Sequence, residues 1–227
     1  MTIALLMAGF MAAAAPSPLE IARDQQDRGA LQKMAADAGA AAAKAPNDAP
    51  AQFQAALAYS YLAEVAIEQR DRKAGRAAAE QGIKAGQRAV TLKSQESEYY
   101  RVLGTLYGQA ITDVLSGLSN GPKAKDALKM ANALAPNKQA LSAAWAAQGV
   151  GNYYLPAQLG GGVDQAVADF HKAIDLDPKN AEAWLWLGVA LRKQNKDAEA
   201  RQAFAKSLEL NPKRVWVKQQ LDKTPAK

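Results

Sequence analysis

The stretch Ala183-Trp184-Leu185-Trp186-Leu187-Gly188-Val189-Ala190-Leu191, followed by Ala200, Phe204, Ser207 and Pro212, decides the fold of this chain. Apolar and small residues recur at helical spacing, pause after Gln194, and resume on a second helical stretch that closes at a proline. Small residues at Gly188 and Ala200 let two antiparallel helices approach closely, and the rings of Trp184 and Phe204 fill the gap to the next helix. A pair of this kind cannot bury its own apolar face. One good copy therefore predicts neighbours, an extended array, and a binding surface rather than a catalytic pocket.

The neighbours are present. Pro178 ends an earlier copy, with Ala166, Phe170 and Ala173 on its second helix, and Pro136 ends another, with Ala124, Leu128 and Ala131. The tails Ala173-Ile-Asp-Leu-Asp-Pro178 and Ser207-Leu-Glu-Leu-Asn-Pro212 are nearly interchangeable. First-helix patterns recur at Tyr100, Leu103, Gly104 and Tyr107, and more weakly at Gln54, Leu57, Ala58 and Tyr61. Upstream the spacing lengthens. The extra residues coincide with Ser116-Gly-Leu-Ser-Asn-Gly-Pro122 and Pro156-Ala-Gln-Leu-Gly-Gly-Gly162, which read as lengthened turns because glycine and proline clusters punctuate helices.

Composition agrees with an all-α chain. The 227 residues are rich in helix formers, and no alternating strand pattern persists. The periodicity predicts helices over 19–44, 49–69, 71–92, 95–117, 123–134, 138–155, 163–176, 181–194, 197–210 and 213–222, with a short tail over 223–227. The helix over 213–222 carries Val217 and Leu221 on one side and Lys213, Arg214, Lys218 and Lys223 among its other positions, the composition of a polar cap. There is no cysteine, which excludes disulfides, thiolate catalysis and Cys-based zinc or iron–sulfur sites. The net charge of +6 is spread among interleaved acids, as in Glu68-Gln-Arg-Asp-Arg-Lys73, which reads as a solvated helical surface and argues against nucleic-acid binding.

Residues Ile3 to Ala15 form an unbroken apolar run that ends in an Ala-x-Ala pattern before Pro16 and Pro18. The run is too short to span a bilayer and has the shape of a secretory signal peptide over residues 1–15, although its start carries no Lys or Arg. Cleavage after Ala14 is expected, placing the mature protein in the periplasm or outside the cell with no membrane span. The competing reading is an amphipathic lead-in helix docked on the first repeat.

Catalytic chemistry is not legible. The single histidine, His171, stands beside Phe170 at an outward-facing position, and only Asp175 is near it at ligand spacing. No Gly-x-Ser-x-Gly elbow accompanies it. Gly160-Gly161-Gly162 follows no strand and precedes no Lys-Ser/Thr, so it is a turn and not a phosphate loop. Glu96/Glu98 and Asp175/Asp177 lie at helix ends, where capping accounts for them. Neither a catalytic centre nor a metal site nor a cofactor is assigned.

The residues from Leu19 to Leu221 resemble the exported bacterial tetratricopeptide repeat (TPR) proteins. Trp184, Leu187, Gly188 and Leu191, then Ala200, Phe204 and Pro212, follow the 34-residue pattern W-x2-L-G-x2-Y…A-x3-F…P with one change of type at Leu191. Asn152-Tyr-Tyr-Leu-Pro156 with Gly160-Gly161 is similar to a variant in which a Pro-x3-Gly-Gly turn lengthens the hairpin; Asn120-Gly-Pro122 resembles it too. The resemblance implies a right-handed α-solenoid of antiparallel helix pairs with a C-terminal capping helix. It implies a non-enzymatic scaffold or adaptor that takes a protein or peptide partner into its concave groove. The carboxylate clamp of some TPR proteins is not carried over, because Leu185 and Val189 stand at the corresponding positions.

In such an array the first helices line the groove. Counting along the repeat from Tyr100 places Glu98, Arg101, Thr105 and Gln109 there; counting from Gln54 adds Tyr59, and from Trp145, Tyr153 and Tyr154. Arginine and tyrosine supply binding hot spots by combining contact area with directed hydrogen bonds. The alternative function is an accessory protein of the cell envelope that binds a small solute or cofactor in a closed pocket lined by Tyr59, Tyr61, Tyr153 and Tyr154.

Overall fold

A computed structural model describes residues 15–226. The expected leader over 1–15 therefore lies, apart from Ala15, outside the described residues. Eleven α-helices make up the described chain: α1 (Pro18–Asp24), α2 (Arg28–Lys44), α3 (Ala49–Glu68), α4 (Arg72–Leu92), α5 (Ser97–Gln109), α6 (Val114–Leu134), α7 (Lys138–Tyr154), α8 (Val163–Leu176), α9 (Ala181–Lys193), α10 (Asp197–Leu210) and α11 (Val215–Asp222). No strand occurs among the described residues. A short 3-10 turn, Ala157–Leu159, lies between α7 and α8.

Helix starts are written in the sequence. The side chains of Asp27, Asp48, Asp71, Asn137 and Asn180 each accept a hydrogen bond from the backbone N–H three residues on. Helix ends are less visible. Gln26, Arg70 and Asn195 adopt positive φ of 55°, 66° and 62°. Each closes a helix with a six-to-one bond, such as Asp71 N–H to Ala66 O at 2.9 Å, a Schellman closure without its usual glycine. This accounts for the first correction: the helix expected over 19–44 is two helices, parted at Gln25-Gln26-Asp27. The second correction concerns 116–122, expected as a turn. These residues are helical within α6, which begins at a reciprocal capping box between Asp113 and Ser116 and carries Pro122 inside it. The real turn is Ile111-Thr112-Asp113, and the first turns of α6 present Val114, Leu115 and Leu118 to solvent. The Pro156–Gly162 turn is as expected, with Gly160 and Gly162 at φ of 81° and 109°, values that glycine adopts without strain.

The helices pair as α3 with α4, α5 with α6, α7 with α8 and α9 with α10. Close approach within a pair follows one device. A Cβ added at Gly188 would lie 2.6 Å from the Phe204 ring, at Gly149 2.5 Å from Phe170, and at Gly104 2.6 Å from Leu128. Hydroxyls tie the helix ends together: Ser97 Oγ donates to Ala131 O, Ser142 Oγ to Ala173 O and Ser207 Oγ to Ala181 O, at 2.7–2.8 Å. The core is continuous across the last pairs, where Phe170, Leu185, Phe204 and Val217 are fully buried.

Successive first helices also pack directly, α1 on α3, α3 on α5, α5 on α7 and α7 on α9, whereas consecutive second helices do not pack to that extent. The first helices therefore form the inner, concave layer. The helix α11 caps the last pair through Val217, as expected. Its tail is not loose: Thr224 is buried, and Arg201 donates to Thr224 O at 2.7 Å.

Candidate functional site

Residues of α3 sort into two faces. Tyr61, Glu64 and Glu68 turn toward α1, α5 and the C-terminal end. Tyr59, two residues and about 200° of helix rotation from Tyr61, turns the other way. It packs between Gly39 of α2 and Gly82 of α4 and lines a cleft of about 390 Å³ with Pro46, Lys84 and Arg88. Tyr59 thus lies away from the concave wall. The weak Gln54 anchor is two residues out of register, since Ala56 and Tyr59 are the residues that face Gly86 and Gly82 of α4, and this rotates every assignment made from it by about 200°. The pocket of four tyrosines envisaged from the sequence does not form, because Tyr59 points away from Tyr61, Tyr153 and Tyr154.

The residues counted from Tyr100 do lie together on α5. Arg101 holds Glu98 through two hydrogen bonds of 2.5 and 2.6 Å. Its side chain keeps 21% of its exposure. Burial opposes the Arg101 charge, but Glu98 overcomes it and raises the pKa above the ordinary arginine value. Thr105 Oγ1 donates to Arg101 O at 3.0 Å. Gln109 Nε2 donates to Ser60 O at 3.1 Å, so Gln109 joins α5 to α3.

Further along, Tyr153 and Tyr154 at the end of α7 meet Trp186 of α9 at ring distances of 5.9 and 6.0 Å, and Trp186 meets Trp216 of α11 at 5.2 Å. These rings pack edge-on or tilted against one another. Tyr154 remains 53% exposed. Burial, then Tyr153, pushes the Tyr154 phenol up to about 12, while Arg72 opposes the shift. Arg72 at the start of α4 and Glu68 at the end of α3 are near enough to act on the Tyr154 phenol.

Between the two walls lies a charge cluster that sequence reasoning missed. Arg214, read from sequence as one of the polar cap's basic residues, is 1% exposed, the largest fully buried side chain among the described residues. It binds Glu64 at 2.5 Å, Glu68 through two hydrogen bonds, Glu182 at 3.3 Å and the Arg23 carbonyl at 3.3 Å, with Asp24 at 3.8 Å. Arg23 reaches Asp24 at 2.7 Å and Glu182 at 3.4 Å, and its guanidinium lies 5.0 Å from the Tyr61 ring centroid. Burial raises Glu64 to about 7 against the pull of Arg214, and raises Glu68 in the same way. Against the same burial, Glu182 and Glu64 hold both Arg23 and Arg214 above the ordinary arginine pKa. The partners come from α1, α3, α9 and the approach to α11, so nothing in the local pattern around Lys213-Arg214-Val215 announces them.

Helix pairs with glycine-to-ring contacts, an inner layer of first helices and a capping helix are now in place, and comparison with known proteins agrees with them. Residues 160–215 match the tetratricopeptide repeat family model. A thermophilic TPR protein of Thermus thermophilus has the same fold, with a TM-score of 0.62 at 20% identity, over 90% of this chain and 95% of that one. The fold is that of the tetratricopeptide repeat. A MamA structure from Desulfovibrio magneticus is similar over 89% of this chain and 99% of its own, with a TM-score of 0.46 at 18% identity. Human Superkiller complex protein 3 is 36% identical over 90 residues, 40% of this chain; the alignment spans 6% of that protein's length. No helix among the described residues is long and apolar enough to cross a membrane.

Proposed function

We propose that this TPR array is a non-enzymatic scaffold that captures a segment of a protein partner along its inner wall. One observation carries the reading. Tyr154, Trp186 and Trp216, from three successive first helices, form a partly exposed aromatic strip beside the buried charge cluster. Aromatic side chains at the centre of a concave surface supply contact area at low entropic cost, and charges at the edge set register. Arg101 and Glu98 continue the wall on α5, and Thr105 and Gln109 extend it toward α3. The same proposal places the chain in the cell envelope, with residues 1–15 removed as a leader, 19–222 acting as the repeat domain and 223–227 as its tail.

Photocrosslinkers placed at Tyr154 and at Trp186, in protein expressed in its native cell, test both parts. Covalent capture of one discrete partner in the envelope fraction, abolished by Tyr154→Ala with Trp186→Ala while the circular dichroism spectrum is unchanged, supports the reading. Capture that survives the double substitution but is lost on changing the outer helices α4 or α8 removes it. Recovery of full-length protein from the cytoplasm alone removes the export part.

A further inference from the structure

Repeat arrays are nearly one-dimensional, each repeat touching only its neighbours. This chain breaks that rule. Its two ends are joined by hydrogen bonds between residues 146 to 193 apart: Arg214 to Glu68 and Glu64, Asn211 Nδ2 to Asp24 at 2.8 Å, and Gln219 Nε2 to Gln26 Oε1 at 2.9 Å. The seam differs from the junctions inside each half of the array. One apolar cluster is confined to residues of α7 to α11, and the others to α1 to α6 and the residue after α5. None crosses from α1 or α3 to α9 or α11. The side-chain hydrogen bonds that join the ends are made by charged and amide groups.

We propose that this seam is a gate: the first and last helices part and re-engage at Arg214, and the parted form admits a partner to the inner wall. The gate rests on the proposed function for its purpose but not for its existence. Parting a polar seam exposes groups that water solvates well, so it lacks the hydrophobic penalty of separating helices that share an apolar cluster. Buried ion pairs are close to break-even against their own desolvation, which keeps the closed and parted forms within reach of each other. The seam is also out of charge balance. Asp24, Glu64, Glu68 and Glu182 supply four carboxyls to the two guanidiniums of Arg23 and Arg214. Small rotations at each junction of the array sum to a large end-to-end displacement, so no helix needs to unfold.

The balance responds to pH. Glu64 is faced from α1 by Arg23, from its own helix by Tyr61 and Glu68, from α5 by Arg101, from α9 by Glu182, and from the approach to α11 by Arg214, with Glu20, Asp24 and Glu98 beside Tyr61, Arg23 and Arg101. Burial in the closed seam is the reason its pKa stands at about 7, and solvation in the parted form returns it toward the ordinary carboxylate value. The closed form therefore binds the extra proton, and raising the pH through about 7 favours parting.

The chain has no cysteine, so labels can be placed at will. Lys33→Cys on α2 and Lys218→Cys on α11, both exposed, take a spin-label pair whose separation is read by pulsed electron resonance with no partner present. The expected result is one short distance at pH 6 and a growing longer component at pH 8.5. Arg214→Gln shifts the pH 6 distribution to the longer component, and Glu64→Gln removes most of the pH response. A distribution that stays unchanged from pH 6 to 8.5 in the otherwise wild-type pair overturns the gate, whatever Arg214→Gln does to folding. Partner capture is measured separately at Tyr154 and Trp186. An immobile seam with intact capture sinks only the gate, and a mobile seam without capture sinks only the binding reading.

Discussion

Phe204 and Trp184 hold equivalent rank in the repeat pattern, yet the structure assigns them unequal burdens. Phe204 is fully buried, lies against Gly188 with no room for a Cβ between them, and has the Arg192 guanidinium 5.9 Å from its ring centroid. Truncating such a ring removes its transfer free energy and leaves a cavity that the glycine cannot fill, so Phe204→Ala costs about 3–5 kcal/mol. Trp184 packs on the rim of the same cluster, partly in water, with its indole N–H donating to Pro178 O at 2.9 Å. Water replaces that hydrogen bond after truncation, and only the covered part of the ring is lost. Trp184→Ala therefore costs about 1–2 kcal/mol by area and hydrogen-bond accounting. Equilibrium urea unfolding followed by far-ultraviolet circular dichroism measures both, since tryptophan fluorescence is altered by one of the variants. Hydrogen exchange in α9 and α10 guards against uncoupled unfolding of repeats. A loss for Trp184→Ala equal to that for Phe204→Ala would refute the assignment of which ring fills the gap within the pair.

Ser142→Ala removes a fully buried hydroxyl that donates to Ala173 O and accepts from Asn180 Nδ2; Ala173 O keeps its bond from the Asp177 N–H, so stability falls by about 0.5–1.5 kcal/mol in the same assay. Arg70→Gly relieves an exposed left-handed residue and raises stability by up to about 1 kcal/mol, the strain removed less the unfolded-state entropy gained; a loss means that the Arg70 side chain makes an essential contact. Because Glu64 and Glu68 have raised folded-state pKa values, the folded protein holds protons that the unfolded chain has released, and stability falls as pH rises through about 7. Thermal unfolding at pH 6 and pH 8 checks this, and Glu64→Gln flattens the difference. Arg101→Glu weakens partner capture at least about tenfold, or 1.4 kcal/mol, without lowering the melting temperature by more than a few degrees, whereas Tyr59→Ala leaves capture intact. The reverse pattern restores Tyr59 to the groove.

The repeated unit is a property of local sequence. Helix pairs were legible from Trp184 to Pro212 because local spacing, small-to-large complementarity and the closing proline all act within one repeat. Asp48, Asp71, Asn137 and Asn180 marked helix starts for the same local reason. The two boundary errors share a cause: the caps at Asp27 and Asp113 were outweighed by continuous apolar spacing on one side and by a Gly-Pro cluster on the other. A closer reading of Asp113-x-x-Ser116 as a capping box would have moved the turn. The break at Gln26 carries no glycine to reveal it. Glu98, Arg101, Thr105 and Gln109 share one helix and one strong anchor, so their common wall could be counted out. Tyr59 could not be placed, since its weak anchor is two residues out of register and each residue turns a helix by about 100°. The meeting of the two ends, by contrast, belongs to the folded molecule alone. Arg214, Glu64, Glu68, Asp24 and Glu182 are ordinary charges within their own repeats. Their burial and their pKa values depend on how the rotations of all the intervening repeats add up, a long-range sum that no window of local sequence contains.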